Sequence, residues 1–96
     1  MKNLDEITRI LREQKEHIEN DLGVVGLKAF GSFTEGTQGA ESDLDLIAEF
    51  KNTPTMFELV KVEEELSKLV DVEVDLLTEE SISPYILPQI KQVVIL

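Results

Sequence analysis

The sequence predicts an α+β domain, a small β-sheet with helices packed on one face. Three observations lead there. Apolar residues recur at helical spacing over residues 4–20 and 56–69, and at strand spacing over 24–30, 44–50 and 72–77. The segments follow one another as helix, strand, short helix, strand, helix, strand, an order that lays helices against a sheet. The chain has 96 residues, 42% of them hydrophobic, which suits a single globular domain over residues 1–96 despite a net charge of -11.

Taken in order, Leu4, Ile7, Ile10, Leu11 and Ile18 mark the apolar face of an amphipathic helix from Leu4 to about Asn20, ending near Gly23. His17, the only histidine, sits among its charged residues and reads as exposed rather than catalytic. Val24 to Phe30 is the first strand, with Gly26 a mild interruption. Lys28 is the positive charge nearest the loop that follows and reads as an ordinary surface lysine. Ser32 to Thr37 begins a short helix whose backbone N–H groups can face an anion, with Glu35 turned away from it. Leu44 to Phe50 is apolar enough for a central strand, and Glu49 is a strand-end charge.

Asn52, Thr53 and Pro54 stop that strand, and Thr55 with Glu58 has capping-box spacing for the next helix. Its apolar face is Met56, Leu59, Val60, Val62, Leu66 and Leu69, and the run Glu63, Glu64, Glu65 reads as solvated surface. Val72 to Leu77 is the third strand. Val72, Val74 and Leu76 share one side, and Asp71, Glu73, Asp75 and Leu77 the other. Helix restarts briefly after Ser83 and Pro84, Pro88 interrupts it, and Gln92 to Leu96 is a final short strand or a partner-binding tail.

The stretch Gly31 to Leu46, GSFTEGTQGAESDLDL, carries the chemistry. Asp43 and Asp45 alternate with Leu44 and Leu46, so both carboxylates point to one side of a strand. Like charges that close raise each other's pKa unless a cation lies between them. Oxygen donors without histidine or cysteine favour a hard ion, Mg²⁺ or Mn²⁺, which completes its shell with water and phosphate oxygens. Gly31 and Ser32 suit that phosphate: glycine admits close approach of the backbone, and the N–H groups and hydroxyl donate hydrogen bonds. A third acid fits on the later strand. Asp75, among Val74, Leu76 and Leu77, is harder to leave charged without a cation than Glu73, the alternative.

A Gly-Ser pair, a glycine-containing loop and then SDLDL, followed by VEVDLLT, resembles the signature of the polymerase-beta-like nucleotidyltransferase superfamily, in particular its minimal single-domain members. The resemblance spans nearly the whole chain. It implies a mixed sheet, Gly31 and Ser32 on the nucleotide triphosphate, Asp43 and Asp45 on two Mg²⁺ ions, and Asp75 as the third ligand or base. It further implies transfer of a nucleoside monophosphate, AMP from ATP, to a tyrosine of a HEPN-domain toxin partner, with this chain as antitoxin. One departure matters. Minimal members often have a basic residue after the Gly-Ser pair, whereas Phe33, Thr34 and Glu35 follow here, weakening the grip on triphosphate.

Composition narrows the partners. Twenty acidic residues face nine basic ones with no basic stripe, so direct nucleic-acid binding is not expected, and a mononucleotide or a basic partner protein fits better. The absence of cysteine excludes disulfides, zinc-thiolate sites and thiol catalysis. No run approaches the roughly 20 apolar residues of a membrane span, and MKNLDEITRI is unlike a signal peptide, so a cytoplasmic protein is expected. Tyr85, the only tyrosine, is expected to pack partly buried rather than to accept a nucleotide itself. The rival to an enzyme is a non-catalytic module of the same fold that neutralises a partner by occlusion, with Val93 to Leu96 as an interface or an edge strand.

Overall fold

A four-stranded mixed sheet with its helices on one face is the architecture of the computed structural model, which describes residues 3–36, 39 and 43–96. The helix expected over Leu4 to Asn20 is two helices, α1 (Leu4–Glu13) and α2 (Lys15–Leu22), broken at Gln14. The apolar series lapses between Leu11 and Ile18, and Gln14 and Lys15 fall where the buried face would continue. Neither is suited to a core, so the chain turns there instead. Asn3 caps α1 by accepting from the Glu6 N–H at 2.9 Å, and Gly23 ends α2 in the left-handed conformation.

Strand β1 (Val24–Phe30) pairs antiparallel with β2 (Leu44–Phe50), and β2 pairs in parallel with β3 (Val74–Thr78). The third strand thus starts two residues later than its apolar alternation suggests, because Asp71 adopts a left-handed C-cap conformation after α4 (Met56–Val70). The short edge strand β4 (Val93–Val94) lies beside β1, giving the order β3-β2-β1-β4. Of the two readings of the chain's end, the edge strand is the observed one: Ile95 is buried, its N–H donates to the Leu27 carbonyl at 2.8 Å, and its own carbonyl takes the Arg12 Nε–H at 2.9 Å.

Alternation decides which face each strand residue serves. Leu27 and Ala29 of β1, Leu44, Leu46 and Ala48 of β2, and Val74 and Leu76 of β3 join Ile7, Leu11, Ile18, Val62, Leu66 and Val70 of the helices in one buried cluster. The opposite face carries Lys28, Asp45, Ile47, Glu49, Asp75 and Leu77 by register. Helix α4 begins with the expected capping box, its two hydrogen bonds measuring 3.0 and 3.1 Å.

The glutamate run on α4 is not uniformly solvated surface. Strand β3 is an edge, and its outward N–H groups need acceptors. Glu63 Oε2 accepts from the Leu76 N–H at 2.9 Å and Ser67 Oγ from the Val74 N–H at 3.0 Å, while the Ser67 hydroxyl donates to the Glu63 carbonyl. Glu65 meets His17 at 3.3 Å, and only Glu64 is exposed. His17 also reaches Asp21 at 2.7 Å, so it bridges α2 and α4 between two carboxylates. The hydrogen bond from Asp21, then that from Glu65, raises the His17 pKa above its ordinary 6.5.

Two outcomes are expected. Glu63→Ala leaves an edge N–H without its partner and destabilises the fold by about 1–3 kcal/mol in chemical denaturation, whereas Glu64→Ala stays within about 0.5 kcal/mol of the parent. Because a raised histidine pKa gives stability that is full below the unfolded value and is lost as pH climbs through the folded one, the melting-temperature advantage of the parent over His17→Gln is largest below the ordinary histidine value of 6.5 and fades as pH rises above it.

Candidate active site

The end of β1 and the start of β2 meet at Phe30 and Asp45, which face each other in the antiparallel ladder. The next residue, Gly31, has φ 79° and ψ -151°, a conformation essentially reserved for glycine. A Cβ at this position would collide with the Asp45 carboxylate. Both facts require glycine here: the backbone turns sharply and passes directly against the acid. Ser32 then opens a four-residue helix, α3 (Ser32–Glu35), closed by Gly36 in the left-handed conformation. Thr34 ties the turn by donating its N–H and its hydroxyl to the Gly31 carbonyl, at 3.1 and 2.7 Å. Phe33 is buried and anchors α3 to the core, and Glu35 is exposed. Thr37, where the sequence ends this helix, lies outside the described residues, as do Glu41 and Ser42.

Asp45 and Asp75 are direct neighbours in the parallel register of β2 and β3, so their side chains leave the same face of the sheet. Asp43 precedes β2 and is exposed, Asp45 is half-buried, and Asp75 is exposed. The Asp45 pKa is raised above the ordinary carboxylate value, first by burial and then by the charges of Asp75 and Asp43. Those three acids therefore share one electrostatic neighbourhood. Glu73, the alternative third acid, lies before β3 and gives its backbone carbonyl to the Leu44 N–H at 2.8 Å.

Among the described residues, no three acidic or histidine side chains form a preassembled metal cage. The donor chemistry still fits a hard divalent ion. All donors are carboxylate oxygens, and Asp45 is a part-buried carboxylate penalised by two like charges, which is the strain a cation relieves. Asp43, Asp45 and Asp75 are the residues that could hold such an ion.

Lys28 shares the carboxylate face but is bound at 3.2 Å to Glu79, a residue of the single-turn helix Glu79–Ser81 that follows β3. Tyr85 is 84% exposed, contrary to the expected packing role, because the segment after Pro84 stays outside the core. A basic residue that the motif reading passed over also reaches this region: Lys91 Nζ donates to the Thr34 carbonyl at 3.1 Å. A separate concavity of about 440 Å³ lies where β2 and β3 end, between Phe50, Met56, Leu59 and Thr78. It is at the far end of the strands from Asp45 and is not the carboxylate site.

The family model of the nucleotidyltransferase domain matches residues 6–96. A Methanocaldococcus jannaschii protein assigned as a protein adenylyltransferase is 38% identical over 95 residues, spanning 96% of this chain and 95% of its own. A solved structure assigned as a minimal nucleotidyltransferase superposes with a TM-score of 0.74 at 28% identity, covering 93% of this chain and 90% of that one. The structure of a toxin-antitoxin with AMP-PNP gives a TM-score of 0.63 at 26% identity, over 92% of this chain and 69% of that chain. No helix among the described residues is long and apolar enough to cross a membrane.

A part-buried acid kept for its charge is a stability cost. Asp45→Asn is expected to raise the melting temperature in chelator-treated buffer near neutral pH, and Mg²⁺ is expected to stabilise the parent but not the variant, both read by thermal denaturation.

Proposed function

Because this chain belongs to the nucleotidyltransferase domain family, we propose that it transfers AMP from ATP to a tyrosine hydroxyl on a HEPN-domain toxin partner and thereby acts as an antitoxin. The observation that carries the reading is the parallel pairing that sets Asp75 beside Asp45 while Gly31 packs against the same carboxylate. Three parts of the sequence, far apart in the chain, converge there. The adenylyltransferase assignment of the relative and the AMP-PNP of the toxin-antitoxin structure support ATP and a protein acceptor.

In this reading Gly31 and Ser32 hold the triphosphate through backbone N–H groups and the Ser32 hydroxyl. Asp43, Asp45 and Asp75 would hold the divalent cations, two Mg²⁺ with Mn²⁺ as substitute, which neutralise the phosphates and acidify the acceptor hydroxyl when bound. Asp75, exposed at the rim, receives the proton of that hydroxyl. The tyrosine oxygen then forms a bond to the α-phosphorus as the bond to the β-phosphate bridging oxygen breaks, and pyrophosphate leaves in line. The net charge of -11 favours encounter with a basic partner, and the use of ATP fits a cytoplasmic setting.

A second reading has one observation of its own. Met56 and Phe57 are 76% and 73% exposed beside the 440 Å³ concavity, an apolar surface of the kind that docks a protein without chemistry. Labelled ATP with Mg²⁺, the chain and a HEPN-domain protein separate the two. Transfer of label to a partner tyrosine, at least about a thousandfold slower with Asp45→Asn, is the expected result. A tight complex without label that ignores Asp43 and Asp45 substitutions would establish the occluding module, and label on Tyr85 of this chain would overturn the partner as acceptor.

A further inference from the structure

From Gly31 to Leu46 the chain carries no lysine or arginine, and its charged residues there, Glu35, Glu41, Asp43 and Asp45, are all acidic. A polyphosphate brought to this loop finds no ammonium or guanidinium among the loop's own residues. Metal ions offset part of that, but the outer phosphates of ATP also need donors, and an ammonium or guanidinium is the usual one. The question is which cation the fold delivers.

Most of the basic residues belong elsewhere. Arg9, Arg12 and Lys15 are on α1 and α2, and Lys61 and Lys68 on α4, all helices of the opposite face of the sheet. Arg12 is spent on the Ile95 carbonyl, and Lys61 stands 5.7 Å over the Phe57 ring. Lys51 follows the far end of β2. Lys28 is on the right face but is drawn to Glu79. Lys91 differs from all of these. It is exposed, lies in the segment between the single-turn helix Leu87–Gln89 and β4, and crosses 57 positions of sequence to place its ammonium 3.1 Å from the Thr34 carbonyl of α3.

We propose that Lys91, seated on α3, is the cation that binds the β- and γ-phosphates of ATP, supplied by the C-terminal segment in place of a basic residue in the Gly-Ser loop. The inference rests on the nucleotidyltransfer reading above and adds a binding residue to it. An ammonium has three N–H donors. One is used on the Thr34 carbonyl, which fixes the charge beside the loop, and two remain for phosphate oxygens. The tether shortens the search of a flexible four-carbon side chain, so less rotamer freedom is lost when nucleotide arrives. Thr34 itself is held by two hydrogen bonds to Gly31, so the cation is coupled through one turn to the residue that packs on Asp45.

Titration calorimetry with ATP, ADP and AMP in Mg²⁺ tests this on the full chain. Lys91→Met, which keeps the apolar stem, is expected to weaken ATP about tenfold or more and to leave AMP unchanged, while Lys91→Arg retains most of the ATP affinity and Lys51→Met changes neither. In the transfer assay the same variant raises KM for ATP with little change in kcat. If Lys91 only capped α3, Lys91→Met would lower the melting temperature and leave the ATP-to-AMP affinity ratio as in the parent, and that result overturns the inference. A parent chain that binds ATP with a variant that binds it equally well sinks Lys91 alone; a parent that binds no nucleotide sinks the nucleotidyltransfer reading with it.

Discussion

Two aspartates on adjacent parallel strands dominate the physics of this molecule. Asp45 and Asp75 occupy the same rung of β2 and β3, so the hydrogen bonds that hold the sheet together also hold like charges side by side. Repulsion of this kind is tolerated only where the rest of the structure outweighs it. Here the opposing face does so. The neighbours of these residues, Leu44, Leu46, Val74 and Leu76, point the other way into a cluster shared with α1, α2 and α4, so strand register cannot slip without exposing the core. The hydrophobic face fixes the geometry of the charged one.

That arrangement is reinforced at the edge where it is weakest. Among the described residues β3 has no further strand beside it, and the N–H groups of Val74 and Leu76 are taken by Ser67 and Glu63 of α4. The helix therefore does two things for the carboxylate pair: its apolar side covers the core beneath β3, and its polar side accepts from two N–H groups of β3's free edge. At the other end of the chain, β4 and Ile95 lock against β1, and Arg12 clips the tail to α1. The last residues are thus part of the frame, and the segment leading into them brings Lys91 to α3.

The distribution of charge matches this division. Acidic residues are spread over the surface, while among the described cations Lys28, on the carboxylate face, is placed on Glu79, and Lys91 on the Thr34 carbonyl of α3. Carboxylates grouped in this way, with Asp45 raised by burial and by its acidic neighbours, attract a cation sooner than a bare anion. Exposed Tyr85, Met56 and Phe57 lie away from the core and leave the chain with aromatic and apolar surface.

How much of this could be read without coordinates varies by residue. The strands, the capping box of Thr55 and Glu58, the glycine at position 31 and the buried face of β2 were legible because each depends on local spacing or backbone conformation. The break at Gln14 was present in the apolar series but easily hidden by the good helical composition around it. Glu63 and Tyr85 depart from their sequence pattern in opposite directions. Composition sets a glutamate outside and a tyrosine partly inside, whereas an unpaired edge N–H drew the first inward and the Pro84 segment carried the second out. Sequence alone determined the acids of β2, the turn before them and the family resemblance, since these rest on neighbours one to a few positions apart. Only the tertiary structure decided that Asp75 stands beside Asp45 and that Lys91 reaches Thr34, because parallel pairing and a 57-residue return of the chain are set by the packing of the whole core.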